Sequence, residues 1–131
     1  MITFSVVTIT YNAASVLRPT LDSVLMQNYP HVEHLIIDGA STDDTISIAK
    51  AYQKQSDDAE NGHIVKIQSE PDKGLYDAMN KGLQLATGDY IVFMNAGDRF
   101  PDAETLNKVM LAAVVGDGEE HPAVLFGNTD I

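Results

Sequence analysis

Phe4-Ser5-Val6-Val7-Thr8-Ile9-Thr10-Tyr11-Asn12 opens the chain with a pattern that repeats along it. Its apolar run is short and nearly continuous instead of strictly alternating, as in a strand covered on both faces, and it breaks off into polar residues. The same form returns at Val32 to Ile37, Ile64 to Ile67, Tyr90 to Met94 and Val124 to Phe126. Between these runs lie stretches with helical spacing: Val16/Leu17/Leu21/Val24/Leu25, Ile46/Ala49/Lys50, Leu75/Met79/Leu83/Ala86 and Leu106/Val109/Met110/Ala113. The order βαβαβαβαβ predicts an α/β fold, a mostly parallel open sheet with helices on both faces.

The punctuation agrees with this division. Asn28-Tyr29-Pro30 ends the first helix, Glu70-Pro71-Asp72-Lys73-Gly74 separates the third strand from its helix, and Gly88 closes that helix. If Ser15 caps the first helix, Pro19 falls a residue too late to be free of cost, which predicts an irregular first turn. Gln55 to Gly62 is polar and acidic and reads as a surface loop.

At 131 residues the chain is expected to form a single domain, 1–131. Eight Lys and Arg against 19 Asp and Glu leave a net charge of −11, which argues against nucleic acid and anionic membrane surfaces as partners. No apolar run approaches the ~20 residues of a membrane span, so a soluble protein is expected. The absence of cysteine excludes disulfides, thiolate metal sites and Cys nucleophiles. Met1-Ile2-Thr3-Phe4 lacks the start of a signal peptide, so a cytoplasmic location is the default.

In an open parallel sheet the ligand sits at the carboxyl ends of the strands, where loops converge and helix N-termini offer N–H groups. Four polar clusters follow strands directly: Thr10-Tyr11-Asn12, Asp38-Gly39-Ala40-Ser41-Thr42-Asp43, Ser69 to Gly74, and Asn95-Ala96-Gly97-Asp98. Each has a bland alternative. Asp38-Gly39 suits a turn, Ser41-Thr42-Asp43 a cap on the second helix, and Asn95 to Asp98 a tight turn. Asp38, closing an apolar run, is placed where a buried acceptor meets the N–H of a base or a ribose hydroxyl. Asn95 and Asp98 supply two oxygen donors at a strand end, which suits Mg²⁺ or Mn²⁺ bridging a diphosphate, and such an ion offsets the repulsion between an acidic protein and an anionic ligand.

On the third helix Asp77, Asn80 and Lys81 share a face opposite Leu75/Met79/Leu83. Either Asp77 and Lys81 form a simple surface pair, or Lys73 or Lys81 serves as a cation near phosphates. There is no GxxxxGK[ST] and no HExxH, and Gly116-Asp117-Gly118 lacks the third glycine and preceding strand of a dinucleotide fingerprint. His31, His34, His63 and His121 lack zinc-ligand spacing and read as surface or interior residues.

Taken in order, these clusters resemble the family 2 glycosyltransferases of the GT-A fold, in their Rossmann-like, N-terminal nucleotide-sugar-binding half. The resemblance runs from Phe4 to about Phe100. It rests on Ser5 to Asn12, Gln27 to Pro30, Ile37 to Asp43, Ser69 to Gly82, Ala86 to Tyr90 and Asn95 to Asp98. Ser69 to Gly82 is most similar to a bacterial subgroup of exopolysaccharide synthesis, of the colanic acid type.

The resemblance implies a hexosyltransferase-type enzyme that moves a sugar, with inversion, from a nucleoside diphosphate donor, UDP-linked by expectation. The acceptor would be a glycan or lipid-linked molecule in polysaccharide biosynthesis, and the location cytoplasmic, extending to the inner face of the membrane. Thr10, Tyr11 and Asn12 would line the nucleoside pocket, Asp38 would contact the base, and Asp72, Lys73, Gly74 and Asn80 would approach the donor. Asn95 and Ala96 would stand in the family's DxD-type motif, with Asp98 as ligand to Mn²⁺ or Mg²⁺.

Two departures are visible. Many members read Asp-x-Asp-Asp where this chain has Asn95-Ala96-Gly97-Asp98, leaving Asp98 as the only strong ligand, and Met79 stands where the family often has Arg. The family's acceptor-binding half and catalytic base lie beyond a point matching residue 131. A non-catalytic module that holds a nucleotide or a partner is the alternative. A nucleotidyltransferase is disfavoured, because no Gly-rich, basic phosphate loop opens the chain.

Overall fold

The computed structural model describes residues 2–116 and 123–126. Five strands, β1 (Phe4–Thr10), β2 (Val32–Asp38), β3 (Ile64–Ser69), β4 (Tyr90–Asn95) and β5 (Ala123–Phe126), alternate with four helices. The helices are α1 (Ala14–Leu25), α2 (Thr45–Ala59), α3 (Leu75–Leu85) and α4 (Thr105–Gly116). The strands form one sheet in the order β3-β2-β1-β4-β5, with all four pairings parallel. The chain steps from β1 outward to β3, then returns to lay β4 on the other side of β1. The order therefore reverses between β1 and β4, and ligands of such sheets bind outside the strand ends at that reversal.

Strand alternation sorts the core into two layers. Phe4, Val6, Val92 and Met94 face Val24 of α1 and Leu106 of α4, while Ile36 and Val65 pack on Leu17, Leu21, Ala49 and Tyr52 of α1 and α2. On the opposite face Val7, Leu35, Ile37, Ile91 and Phe93 meet Ala78 of α3. Helices thus cover both faces, as the segment order predicts. Among the described residues no helix is long and apolar enough to cross a membrane.

Three local expectations are corrected. First, α1 begins at Ala14 with Ala13 as its N-cap, so Ser15 lies inside the helix. Pro19 is accommodated within a continuous helix, its ring on the exposed side, and the Ala13 carbonyl accepts N–H bonds from both Val16 and Leu17 at 3.0 Å. Second, α2 runs through the supposed loop to Ala59, because Ala49, Tyr52 and Ser56 continue one buried stripe through the polar segment. Only Glu60 to Gly62 turn, with Glu60 left-handed at φ 50°.

Third, the inward face of α3 is carried by Ala78 and Gly82, while Leu75 and Leu83 remain 48% and 41% exposed. A Cβ on Gly82 would stand 2.5 Å from Val7 Cγ1, so the missing side chain is what lets the helix backbone settle on the sheet. Of the histidines, His34 and His63 are interior and His31 is partly exposed; His121 and Asp117-Gly118 lie outside the described residues.

Candidate functional site

The reversal between β1 and β4 opens into a cleft of about 800 Å³. Thr10, Tyr11 and Asn12 enter it from the end of β1, and Asn95 and Ala96 from the end of β4. Pro71, Asp72, Gly74 and Leu75 form the wall between β3 and α3, and Gly39 lies at the end of β2. Four polar clusters that are far apart in sequence therefore meet on one hollow, as strand order requires. Tyr11 is 64% exposed, and its ring and the Asp72 carboxylate both lie close to Gly39. A Cβ there would fall 2.8 Å from Asp72 Oδ2 and 3.3 Å from Tyr11 Cδ1, so a larger residue at this floor position would push both side chains aside. Asn12 and Ala40, at φ 46° and 64°, are non-glycine residues held in the left-handed region. Such conformations persist only where surrounding bonds enforce them.

Those bonds are present. Asn12 Oδ1 accepts the Thr42 N–H at 2.8 Å, and the Asn12 N–H donates to Ser41 Oγ at 2.8 Å. Asp43 caps two helices at once: one oxygen accepts from the Thr45 N–H and hydroxyl of α2, the other from the Ala14 N–H of α1 at 3.2 Å. Thr45 Oγ1 in turn accepts the Ala13 N–H at 2.9 Å. Of the expected Ser41-Thr42-Asp43 cap only Asp43 bonds α2, from the residue before the N-cap Asp44, and it also meets the first turn of α1. The Thr45 hydroxyl, followed by backbone N–H groups, holds the Asp43 carboxyl below the usual range against slight desolvation.

Asp38 does not line the cleft. It is 1% exposed, and its carboxylate accepts four hydrogen bonds: Thr10 Oγ1 and Ser41 Oγ at 2.6 Å, and Ser41 N–H and Ser69 Oγ at 2.8 Å. A carboxylate offers about four lone-pair sites, so these bonds occupy the set, and a base that reached Asp38 would have to share or displace one of them. Burial pushes its pKa up, but the bonds from Ser41, Thr10 and Ser69 outweigh that and lower it. Asp38 instead ties the ends of β1, β2 and β3 together beneath the floor. Ser41, expected in the cap of the second helix, and Ser69 thus serve the Asp38 carboxylate, and hydroxyls flanking a carboxylate at neighbouring strand ends are the sequence signal for it.

Lys81 is not a free cation. Its ammonium lies 2.9 Å from the Pro71 carbonyl, 3.2 Å from Glu70 Oε1 and 3.6 Å from Asp77 Oδ2, with the side chain only 17% exposed. Desolvation works against its charge, but Glu70, then Asp77 and Asp72, raise its pKa. Asp77 is therefore part of a three-way cluster, not of a simple surface pair. Lys73 and Arg99, outside the described ion pairs, follow Asp72 and Asp98 directly. Asn80 is exposed on α3 and does not reach the lining.

In the turn after β4, Asp98 Oδ2 accepts the Asn95 N–H at 2.9 Å and the Asp98 N–H returns to the Asn95 carbonyl at 2.9 Å. The Gly97 N–H donates to Thr20 Oγ1 at 2.8 Å, which fastens the turn to α1. Among the described residues no group of three His, Cys, Asp or Glu side chains gathers to hold a metal ion.

Residues 5–117 match the family described as Glycosyl transferase family 2. Over 116 residues the chain is 39% identical to a PGL/p-HBAD biosynthesis glycosyltransferase of Mycobacterium bovis (strain BCG / Pasteur 1173P2), covering 88% of this chain and 43% of that protein. Its fold is similar to that of the mannosyltransferase PcManGT from Pyrobaculum calidifontis in complex with GDP-Man and Mn2+. There the TM-score is 0.75 at 30% identity, over 86% of this chain and 32% of the other. S. aureus TarS 1–349 in complex with UDP-GlcNAc aligns with a TM-score of 0.70 at 26% identity, over 83% of this chain and 30% of TarS. The chain spans less than half the length of these relatives. A cleft at the reversal of a parallel sheet, framed by the strand-end clusters of that match, makes this chain a member of glycosyl transferase family 2.

Proposed function

We propose that the cleft holds the nucleoside diphosphate of a sugar donor, UDP-linked, and that this stretch is the donor-binding half of an inverting glycosyltransferase. In this reading a second half of the protein brings the acceptor, a glycan or lipid-linked molecule of polysaccharide biosynthesis, together with the catalytic base, and the enzyme acts in the cytoplasm. The single observation that carries the proposal is the convergence of Tyr11, Asp72 and Asn95 on one hollow at the strand reversal. The exposed Tyr11 ring offers a stacking face for a base. The start of α3 at Gly74 and Leu75 brings helix N–H groups to the wall, where a diphosphate is favoured. The structural neighbours in complex with GDP-Man and with UDP-GlcNAc support the same ligand class.

In the reaction the acceptor oxygen bonds to the anomeric carbon as the bond from that carbon to the diphosphate oxygen breaks. The base takes the hydroxyl proton, and donors in the cleft stabilise the departing charge. A divalent ion fits in one limited way. Among the described residues Asp98 Oδ1 accepts no hydrogen bond; Asp98 itself is not a lining residue, and Asn95, to whose N–H it is bonded, lines the cleft. One carboxylate and an amide oxygen suit Mn²⁺ or Mg²⁺ held mainly by the diphosphate and water. When bound, the ion would supply charge that stabilises the leaving group.

Calorimetric titration with UDP, GDP and dTDP, each with and without Mn²⁺, tests the reading. Binding of UDP is expected, strengthened by Mn²⁺, with the Mn²⁺ effect removed by Asp98→Asn. Tyr11→Ala should weaken UDP by about tenfold or more, the scale of losing one stacked base. A folded chain that binds none of the three nucleotides refutes the proposal, and a preference for GDP corrects the base.

A further inference from the structure

We propose that Lys81 is a positioning residue of the cleft: its ammonium fixes the loop from Ser69 to Gly74 as the cleft wall and does not touch the ligand. This rests on the nucleotide reading for its consequence, but its structural content stands apart. The ammonium donates a hydrogen bond to the Pro71 carbonyl and is ion-paired with Glu70 at 3.2 Å and, at longer reach, with Asp77 at 3.6 Å. Lys81 is not among the residues that line the cleft. Two of its partners, Glu70 and Pro71, belong to the loop itself, and Pro71 is a lining residue.

The loop is anchored from both sides. On the sheet side the Asp38 carbonyl accepts the Glu70 N–H at 3.0 Å, and Ser69 Oγ donates to the Asp38 carboxylate. On the helix side Lys81 holds Pro71 and Glu70, while Asp77 Oδ2, which also faces Lys81, accepts the Lys73 N–H at 2.9 Å. Gly82 seats α3 directly on Val7, so the backbone from which Lys81 reaches is itself fixed. Between the anchors stand Asp72 and Gly74, joined by the Gly74 N–H to Asp72 Oδ1 bond at 3.1 Å.

Removing the ammonium therefore has two effects that act together. The Pro71 carbonyl and the Asp77 carboxylate lose the partner that holds the wall in register. Glu70, Asp72 and Asp77 also lose their shared counter-charge, which leaves negative charge beside a cleft meant for an anion. Both effects weaken nucleotide binding without Lys81 meeting the ligand.

The test combines amide hydrogen exchange with calorimetric titration of UDP and GDP on the whole chain, comparing wild type, Lys81→Met and Lys81→Arg. In Lys81→Met the amides of Glu70, Lys73 and Gly74 should exchange about tenfold faster, with β1 and β2 amides unchanged. Nucleotide affinity should fall about tenfold, and Lys81→Arg should restore both quantities to within about threefold of wild type. If Lys81→Met fails to fold, Glu70→Gln, which removes one exposed partner, should raise the same amides about threefold. Unchanged loop exchange overturns the proposal. Weakened binding with unchanged exchange overturns it in favour of direct ligand contact. If wild type binds neither nucleotide, the ligand reading fails alone, and the exchange data still decide the role of Lys81.

Discussion

Strand β2 ends in a buried carboxylate on both sides, built to one plan and put to different use. At its amino end Glu33, opposite Ser5 in register, accepts from Ser5 Oγ at 2.8 Å, from the Thr87 N–H and hydroxyl at 2.9 Å, and from Lys66 Nζ at 3.2 Å. At its carboxyl end Asp38, opposite Thr10, accepts from Thr10, Ser41 and Ser69. The lower set includes a cation; the upper set is made of neutral donors only. At both ends burial raises the carboxyl pKa and hydrogen bonds more than reverse the effect. A charge compensated by Lys66 closes its end of the sheet, whereas uncompensated charge beneath a cleft makes any cation near that cleft more valuable.

The largest expected effect breaks the upper set. Asp38→Ala strands three hydroxyls and the Ser41 N–H beneath the floor, and should cost about 3–5 kcal/mol in urea unfolding, with nucleotide binding lost as the floor loosens. Glu33→Ala should cost less, about 2–3 kcal/mol, because half-exposed Lys66 is free to hydrate. It should leave nucleotide affinity unchanged wherever the chain is folded. A tenfold loss of affinity in folded Glu33→Ala would break the division between a structural end and a binding end.

Gly88→Ala comes next and probes the lower end by space. A Cβ there would lie 2.6 Å from Ser5 Oγ, 2.8 Å from the Thr3 carbonyl and 2.9 Å from the Ser5 nitrogen. Two of these are backbone atoms that cannot swing aside, so a loss of about 2 kcal/mol is expected by the same urea measurement.

Between the two ends His34 is fully buried, 2.7 Å from Thr8 Oγ1 and 2.7 Å from the Tyr52 hydroxyl. Burial, then the charge of His63, pushes its pKa down to about 3. The unfolded imidazole titrates near 6.5, so between these values the unfolded chain binds more protons and stability falls as pH falls. The contribution at pH 5 should be about 1–2 kcal/mol. His34→Gln should flatten the curve between pH 6.5 and 5, with a remainder from His63, whose pKa is lowered by burial against the Tyr29 carbonyl bond. Below pH 4.5 Glu33 and then Asp38 steepen the fall, since each stabilises only while ionised.

The fold was legible because its strands announce themselves. Runs such as Leu35-Ile36-Ile37 are apolar on both faces, and those of β1 to β4 are each followed by a polar cluster that contributes to the cleft. What stayed hidden depends on small residues and on pairings distant in sequence. Ala78 and Gly82 bury α3 without leaving an apolar period, and Ser56 continues α2 through a segment whose composition reads as loop. Asp77 and Lys81 are visible neighbours at i, i+4, but Glu70 and the Pro71 carbonyl reach Lys81 only once the loop has folded back over α3. The four donors of Asp38 come from three strand ends, and no local pattern counts them in advance.

The smallest effect returns the comparison to two glycines. Gly97, in the turn after β4, has φ +104° and open space around it, with Val16 side-chain atoms 4.0 Å from an added Cβ. Gly88 has the opposite character, with no positive φ and no room. Gly97→Ala should therefore cost only about 1 kcal/mol, from backbone conformation and not from contact. Because the turn carries Asn95 and Ala96 into the cleft and hangs on Thr20, the relaxation that relieves the strain shifts both residues. The expected signature is a few-fold loss of the Mn²⁺-dependent part of nucleotide binding, with metal-free binding little changed. A D-alanine placed at position 97 by chemical ligation accepts positive φ and should restore both stability and the Mn²⁺ effect. If it does not, contact and not conformation selects glycine there, and the two ends of the sheet are closer in design than their glycines suggest.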